Sequence, residues 1–311
     1  MTAESIAVGL LGVGKIARDQ HVPALSRNPR YVLAATASHD HGVNRIDKIP
    51  SYPSLAAMLE AVPNLGAVAL CVPPAPRYAL ARAALLAGKH VLLEKPPGAS
   101  TSEVHHLIEL ARERSLCLFA AWHSQFAPAP AVAKAWLAGR KIRSARIIWK
   151  EDVNFWHPGQ EWIWEPGGFG VFDPGINALS IASVILPGDL SVASATLIFP
   201  ENRQTPIAAR LSLRLDDVVV EAEFDWRQTG PQTWDITVET DAGQLHLSKG
   251  GGALTLAGKA AILPPEAEYD GVYERFATLI DQRRIGVDAR PLHLVADAHL
   301  IAAREIAKAF Y

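Results

Sequence analysis

Residues 6–17 read IAVGLLGVGKIA, a continuous apolar run that leads into a glycine motif. Such a run is typical of a parallel strand that is covered on both faces. Gly12 permits a tight turn, Gly14 lets backbone N–H groups approach a pyrophosphate, and Ala17 allows close packing of the following helix. The N-terminus of that helix adds partial positive charge. The motif therefore favours a dinucleotide site at the junction between strand and helix.

The segments that follow alternate between strand and helix patterns. Predicted strands are Tyr31–Ala37, Ala67–Val72, His90–Leu93 and Leu116–Ala121, and predicted helices are Lys15–Leu25, a short helix through Leu59 with Ser54 as its N-cap, Pro76–Ala87 with Gly88 as its stop, and Thr101–Arg114. This alternation predicts an α/β Rossmann domain with a parallel, doubly wound sheet over residues 1–121.

The second part of the chain has a different pattern. After a helix near Ala131–Leu137 it contains segments of alternating polarity at Ala145–Lys150, Ala193–Phe199, Ala208–Leu215, Val218–Asp225, Thr233–Thr240 and Gln244–Ser248. Two helices, Gly271–Gln282 and Pro291–Phe310, are predicted to close the chain. We expect residues 122–311 to form an α+β domain with a large, mostly antiparallel sheet that binds substrate and whose exposed face suits a homo-oligomer.

Composition narrows the class of protein. The chain has 311 residues, of which 49% are hydrophobic and 20% charged, and its net charge is −2. This balance is typical of a globular protein and offers no basic footprint for nucleic acid. The two cysteines, Cys71 and Cys117, support neither a disulfide framework nor a zinc site, and no metal is expected.

The sequence also gives an expectation for the localisation of the protein. The N-terminus carries Glu4 in place of a basic region, and its apolar run continues directly into the glycine motif, which indicates a first strand. No stretch of about 18 uncharged apolar residues suggests a membrane span. We therefore expect a cytoplasmic protein without a membrane partner.

A second motif, Glu94-Lys95-Pro96-Pro97, follows the predicted strand His90–Leu93. Ligands of open α/β sheets bind at the carboxyl ends of the strands. A lysine at that edge can be tuned for proton transfer by burial and by its neighbours. The alternative is a surface lysine in front of a turn.

A third motif spans residues 157–177, HPGQEWIWEPGGFGVFDPGIN. Asp173 and Asn177 are four residues apart and share one face if the segment is helical. Trp156, Trp162 and Trp164 crowd the same stretch. Aromatic faces beside polar groups suit a polyhydroxy ligand. Alternatively, the tryptophans are core residues and Asp173 is an N-cap.

Together these motifs resemble the glucose–fructose oxidoreductase and inositol dehydrogenase family over essentially the whole chain. The resemblance implies that Lys95 and Asp173 line a substrate pocket. Asn177 stands where that family usually has a histidine, so the usual histidine base is missing. The short segment His39–Ile49 also leaves little room for the usual second helix. Within the family, residues 149–177 look much like the bacterial aldose 1-dehydrogenases that act on L-arabinose and D-galactose.

This resemblance implies oxidation of a pyranose at its anomeric carbon to a lactone, with a nicotinamide cofactor as hydride acceptor. Base candidates are Lys95 and Asp173, favoured as a pair, with His157 as an alternative. The remaining sugar contacts are assigned to Glu151, His157, Asn177, Trp156, Trp164 and His123. Cofactor contacts are assigned to Gly12, Val13, Gly14, Lys15, Ile16, Ser38, His39, Cys71, Pro73, Pro74, Glu94, Lys95, Trp122 and Trp162.

Cofactor choice depends on the end of the second strand. Ser38 stands where an acidic residue selective for NAD usually binds the ribose. A serine does not repel a 2′-phosphate, and His39 adds a possible donor, so we expect both NAD and NADP to be used. Asp40 is close enough to replace the missing carboxylate, and Ser38 alternatively only caps the strand. Two other functions stay open: oxidation at another ring carbon of a sugar or inositol, and a regulator that binds dinucleotide without catalysis.

Overall fold

The computed structural model describes residues 5–40, 42 and 44–311; Glu4 lies outside them. The strands are β1 (Ile6–Leu11), β2 (Tyr31–Ala37), β3 (Ser51–Tyr52), β4 (Ala67–Leu70), β5 (His90–Glu94), β6 (Leu118–Ala121), β7 (Ile142–Lys150), β8 (Leu190–Pro200), β9 (Ala208–Leu215), β10 (Val218–Asp225), β11 (Thr233–Thr240), β12 (Gly243–Ser248), β13 (Ala253–Leu256), β14 (Lys259–Ala260) and β15 (Ala303–Ala307).

The α-helices are α1 (Val22–Arg27), α2 (Leu55–Ala61), α3 (Pro74–Leu86), α4 (Thr101–Glu113), α5 (Pro128–Leu137), α6 (Val153–Trp156), α7 (Phe172–Ile185), α8 (Glu268–Asp281) and α9 (Arg290–Ile301). A π-helical segment, Ala17–His21, leads into α1. Within the described residues, no helix is both long and apolar enough to cross a membrane.

Contacts divide the chain into two units. The first unit contains the residues up to Trp122 together with Tyr269–Ala289, and the second contains His123–Glu268 with Arg290–Tyr311. The sequence predicted one boundary between residues 121 and 122, and it did not predict that Tyr269–Ala289 returns to the first unit. That return depends on long-range packing of α8, for example the hydroxyl of Tyr31 donating to the carbonyl of Tyr273 at 2.9 Å.

The first unit is built on a six-stranded sheet with the order β3-β2-β1-β4-β5-β6, in which all pairs are parallel. The Rossmann prediction is confirmed. Ser54 caps α2 by accepting a hydrogen bond from the N–H of Ala57. The described residues between β2 and β3 form turns and bends, as the short connection predicted; two positions of that connection, 41 and 43, lie outside the description.

The second unit contains a nine-stranded sheet with the order β14-β13-β12-β11-β7-β10-β9-β8-β15. Neighbours are antiparallel except β7 with β10 and β8 with β15. The prediction of a large, mostly antiparallel sheet is therefore confirmed. The two parallel pairs make it a mixed sheet. The predicted final helix is wrong in its last part: α9 ends at Ile301, and Ala303–Ala307 instead form the edge strand β15. Pairing with β8 overrides the helical propensity of the alanines there.

Candidate active site

The carboxyl ends of the parallel strands bring the predicted cofactor residues to one edge of the first unit. Gly12 follows β1, Ser38 follows β2, Cys71 follows β4 and Lys95 follows β5. The strand order reverses direction between β1 and β4. Such a switch point creates the crevice in which doubly wound sheets bind dinucleotides.

The glycine motif fits a pyrophosphate. Gly12 has φ +91°, and a Cβ there would lie 2.9 Å from the backbone nitrogen of Val72, so only glycine is tolerated. A Cβ at Gly14 would meet no protein atom within 4 Å. Protein packing therefore does not demand a glycine at position 14, whereas the close approach of a phosphate to the backbone does. Of the neighbouring residues, Val13 is buried, Ile16 is half-buried, and Lys15 is exposed and pairs with Asp19.

The end of β2 presents Ser38 with part of its hydrogen-bonding capacity already used. Its N–H donates to the carbonyl of Tyr52 at 3.0 Å, and its Oγ accepts from the N–H of Asp40 at 3.4 Å. The second contact supports the capping alternative for Ser38. His39 and Asp40 are both exposed at this strand end.

The main chain around Lys95 is held on both sides. Its N–H donates to Oε2 of Glu94 at 3.0 Å. The buried guanidinium of Arg77 donates to the carbonyl of Glu94 at 2.6 Å and also to the carbonyls of Pro96 and Val72. Sequence reasoning missed Arg77, because an arginine inside a helical segment carries no signal that it is buried.

The other predicted cofactor residues of this unit differ in exposure. Cys71 is half-buried, Pro73 is exposed as the N-cap residue of α3, and Pro74 is buried as its first residue. The indole N–H of Trp122 donates to the carbonyl of Asp288 at 2.8 Å, and the ring is buried. Its surroundings favour a packing role for Trp122.

In the second unit, two buried carboxylates flank one imidazole. His157 Nε2 lies 3.6 Å from Oε1 of Glu151 and 3.7 Å from Oδ2 of Asp173. Glu151 is 2% exposed and Asp173 is 4% exposed. Burying a carboxylate is costly unless it is paired or hydrogen-bonded. This carboxylate–imidazole cluster is therefore a candidate site for proton transfer and for hydroxyl binding.

Three local structures place the members of the cluster. Glu151 directly follows β7, and its N–H donates to the carbonyl of Asp225 at 3.0 Å. Asp152 caps the short helix α6 by accepting from the N–H of Asn154 at 2.9 Å, and His157 ends that helix. Asp173 lies in the first turn of α7, where a carboxylate interacts favourably with the helix dipole.

Two tryptophans that the sequence analysis did not assign also belong to this site. The indole N–H of Trp234 donates to Oε2 of Glu151 at 2.9 Å. Trp226 packs against His157 with a ring-centroid distance of 5.4 Å. Trp234 lies in β11 and Trp226 directly follows β10, far along the chain from the 157–177 motif. The alternating pattern of Thr233–Thr240 predicted a strand there but not the partner of Trp234.

The tryptophans of the motif play different roles. Trp156 is 37% exposed, so part of it is accessible to a ligand, and its ring centroid lies 5.0 Å from that of Trp234. Trp164 is 7% exposed and packs against Trp226, which favours the core alternative for it. Trp162 is half-buried in a 3₁₀ turn. His123 pairs through Nδ1 with Oε2 of Glu268 at 2.7 Å.

Asp173 and Asn177 both lie in α7, so the condition under which the sequence placed them on one helical face is met. The Oδ1 atom of Asn177 is buried and has no hydrogen-bond partner among the described residues. An unsatisfied buried acceptor is unfavourable, and a ligand hydroxyl can satisfy it. Within the described part of the chain, no group of three or more His, Cys, Asp or Glu side chains is arranged to hold a metal ion.

This chain is similar in sequence and fold to known proteins. A family model described as an oxidoreductase family with an NAD-binding Rossmann fold matches residues 6–121. A galactose 1-dehydrogenase from Pseudomonas fluorescens is 43% identical over 311 residues, which is 99% of both chains. A dTDP-3,4-didehydro-2,6-dideoxy-α-D-glucose 3-reductase from Streptomyces antibioticus is 28% identical over 98% of this chain and 90% of that protein.

A solved structure agrees with the full-length match. The crystal structure of a D-galactose 1-dehydrogenase from Rhizobium etli superposes with a TM-score of 0.95 at 50% identity, covering 100% of this chain and 99% of that one. The likeness therefore extends over both units, including the segments that carry Lys95 and the carboxylate–imidazole cluster. The chain belongs to the oxidoreductase family with an NAD-binding Rossmann fold, and it is a nicotinamide-dependent dehydrogenase that acts on CH–OH groups.

Proposed function

We propose that this protein is an aldose 1-dehydrogenase that oxidises D-galactose and L-arabinose at the anomeric carbon to the lactone. Full-length similarity to two galactose 1-dehydrogenases carries the proposal. The buried Glu151–His157–Asp173 cluster supports it, because carboxylates and an imidazole are the groups that bind hydroxyls and accept their protons.

The reaction removes a proton from the C1 hydroxyl and a hydride from C1, so that a C=O bond forms. When bound, the nicotinamide cofactor accepts the hydride. We assign removal of the hydroxyl proton to Lys95 together with Asp173, with His157 as the alternative base. The main chain of Lys95 is held by Glu94 and Arg77, which limits its movement during the reaction.

Substrate binding is assigned to the groups around the cluster. Glu151, His157 and Asn177 hold the other sugar hydroxyls, and the unpartnered Oδ1 of Asn177 accepts one of them. The accessible ring of Trp156 covers a C–H face of the sugar. D-Galactose and L-arabinose share their ring configuration and differ in the exocyclic hydroxymethyl group, so a pocket open at that corner accepts both.

We also propose that both NAD and NADP are used. Ser38 at the end of β2 carries no charge that would repel a 2′-phosphate. It offers no fixed positive charge that would require one either. Its hydroxyl can donate to the 2′-phosphate while still accepting the N–H of Asp40.

A sugar panel with product identification tests the proposed function. The absorbance of reduced cofactor is followed with galactose, arabinose and glucose, each with NAD and with NADP. Glucose, the C4 epimer of galactose, should be poor, because a misplaced hydroxyl leaves polar groups of the site unpaired. Equal kcat/KM for glucose and galactose would contradict the assignment. A keto-aldose, in which a ring hydroxyl has become a ketone, in place of a lactone would instead indicate oxidation at another ring carbon.

A further inference from the structure

Four buried polar side chains form a network in the first unit behind Lys95. They are His21, Glu94, Tyr269 and Tyr273, and each is at most 4% exposed. His21 lies at the end of the π-helical segment that follows the glycine motif, Glu94 ends β5, and both tyrosines lie on α8. Three segments that are distant in sequence therefore meet at one carboxylate.

Both oxygens of Glu94 are engaged. Oε1 lies 2.9 Å from Nε2 of His21 and accepts the hydroxyl of Tyr269 at 2.7 Å. Oε2 accepts the N–H of Lys95 at 3.0 Å. The carboxylate cannot rotate without breaking at least one of these bonds, so its position fixes the backbone of Lys95.

His21 is itself held from the opposite side of its ring. Its Nδ1 lies 2.8 Å from the hydroxyl of Tyr273. Burial disfavours the charged imidazole, but electrostatic interactions with Cys71 and Tyr273 and hydrogen bonds with Cys71 and Glu94 outweigh it, so the pKa of His21 is raised well above its ordinary value. When protonated, the ring donates through Nε2 to Oε1 of Glu94 and neutralises the buried carboxylate.

Packing alone does not explain this network. A buried charged network is often no more stabilising than well-packed apolar side chains of the same volume. A fully satisfied polar network does, however, hold its members in one arrangement. The π-helical turn at Ala17–His21 is a second unusual feature at the same place, and such turns are frequent at functional sites.

We propose that His21 is a positioning residue for the reaction: with Tyr269 it orients Glu94, and Glu94 in turn fixes Lys95. The inference rests on the role proposed above for Lys95. It assigns a function to the histidine of the π-helical segment that follows the glycine motif, a residue to which the sequence analysis gave no role.

The test uses three network variants and one matched control. His21→Leu removes the donor to Glu94, whereas His21→Gln places an amide N–H near the position of Nε2. Tyr269→Phe removes only one hydroxyl. Tyr31→Phe is the control, because the Tyr31 hydroxyl is also buried and donates to the carbonyl of Tyr273 at 2.9 Å but does not contact Glu94.

Two readouts are measured on the full-length protein. The first is competitive labelling of Lys95 by acetic anhydride over a range of pH, quantified by mass spectrometry without cofactor or sugar. The second is kcat and KM for galactose. We expect His21→Leu and Tyr269→Phe to change the labelling rate of Lys95 and to lower kcat about 10-fold with little change in KM, since small misplacements of reacting groups cost that much or more.

His21→Gln should recover most of both readouts, and Tyr31→Phe should match the wild type in both. The inference would be overturned if the labelling rate of Lys95 were unchanged in His21→Leu and Tyr269→Phe. It would also be overturned if His21→Gln changed the labelling rate and kcat as much as His21→Leu does. If His21→Leu does not fold, Tyr269→Phe decides. If the wild type oxidises no aldose, the proposed function fails. The labelling rates still show in that case whether the network controls the reactivity of Lys95.

Discussion

Lys95 follows β5 with its N–H bound to Glu94 and its flanking carbonyls bound to Arg77. Because this main chain is held, replacing the side chain should change the chemistry and not the local fold. We predict that Lys95→Ala lowers kcat at least about 100-fold, the usual scale for a positioned proton-transfer group. Cofactor affinity, measured by fluorescence titration, should change much less.

Lys89→Ala provides the control for Lys95, since Lys89 precedes the same strand and its Nζ donates to the carbonyl of Pro63 at 2.8 Å. It should leave kcat unchanged. A Lys95→Ala variant that turns over at nearly the wild-type rate would make Lys95 a structural residue and would remove the proposed mechanism.

Ser38 is the residue on which cofactor choice is predicted to depend. Ser38→Asp should weaken NADP more than NAD, because a carboxylate repels the 2′-phosphate and can accept the ribose hydroxyls. The measurement is kcat/KM for both cofactors in the two proteins. Ser26→Asp adds the same charge near the end of α1, at the opposite edge of the sheet, and should not alter the ratio.

Strict NAD dependence of the wild type would refute the placement of Ser38 at the adenosine ribose. An unchanged cofactor ratio in Ser38→Asp would do the same. In either case the exposed Asp40, or the capping role of Ser38, would be the better account of this strand end.

Among the elements, helix α7 presents two proposed site residues one turn apart. Asp173 belongs to the carboxylate–imidazole cluster, whereas the amide of Asn177 cannot act as a base at neutral pH. We predict that Asp173→Asn mainly lowers kcat and that Asn177→Ala raises the KM for sugar at least as strongly as it lowers kcat. Steady-state kinetics with galactose separates the two effects.

Ser183→Ala is the control within α7, because the Ser183 hydroxyl is buried and donates within its own helix, to the carbonyl of Leu179. It should change neither constant. A pure turnover defect in Asn177→Ala would contradict the assignment of Asn177 to binding.

At the scale of the whole molecule, the network around His21 links stability to pH. The pKa of His21 in the folded protein is raised above the ordinary value of 6.5. The stabilisation from its protonated form is therefore complete below pH about 6.5 and is lost as pH rises through the folded-state pKa. The groups that face His21 are Glu94, Tyr269, Tyr273 and Cys71.

We accordingly predict that the difference in free energy of unfolding between wild type and His21→Leu is largest at low pH and shrinks as pH rises. Urea unfolding between about pH 5 and pH 9 measures it. Tyr31→Phe should give a difference that does not vary with pH in this range, since the pKa of Tyr31 is raised by burial. A difference that is flat for His21→Leu would contradict a charged His21.

The Rossmann unit could be predicted from the sequence, because its signals are local. An apolar run entering a glycine turn, and helices spaced between buried strands, need only neighbouring residues to be recognised. The adjacency of Asp173 and Asn177 was predicted only on the condition that their segment is helical, and α7 meets that condition. The family was also predicted from the sequence motifs, and full-length similarity confirmed it.

Which distant residues meet could not be predicted from the sequence and depends on tertiary packing. Tyr269 and Tyr273 reach Glu94 because α8 returns to the first unit, and Trp234 reaches Glu151 because β11 pairs with β7. Ala303–Ala307 form a strand because β8 offers an open edge, although the segment itself continues a helical pattern. These contacts form through packing between segments far apart in the chain. The periodicity of apolar residues predicts which face of a helix or strand is buried, but it does not predict which segment packs against that face.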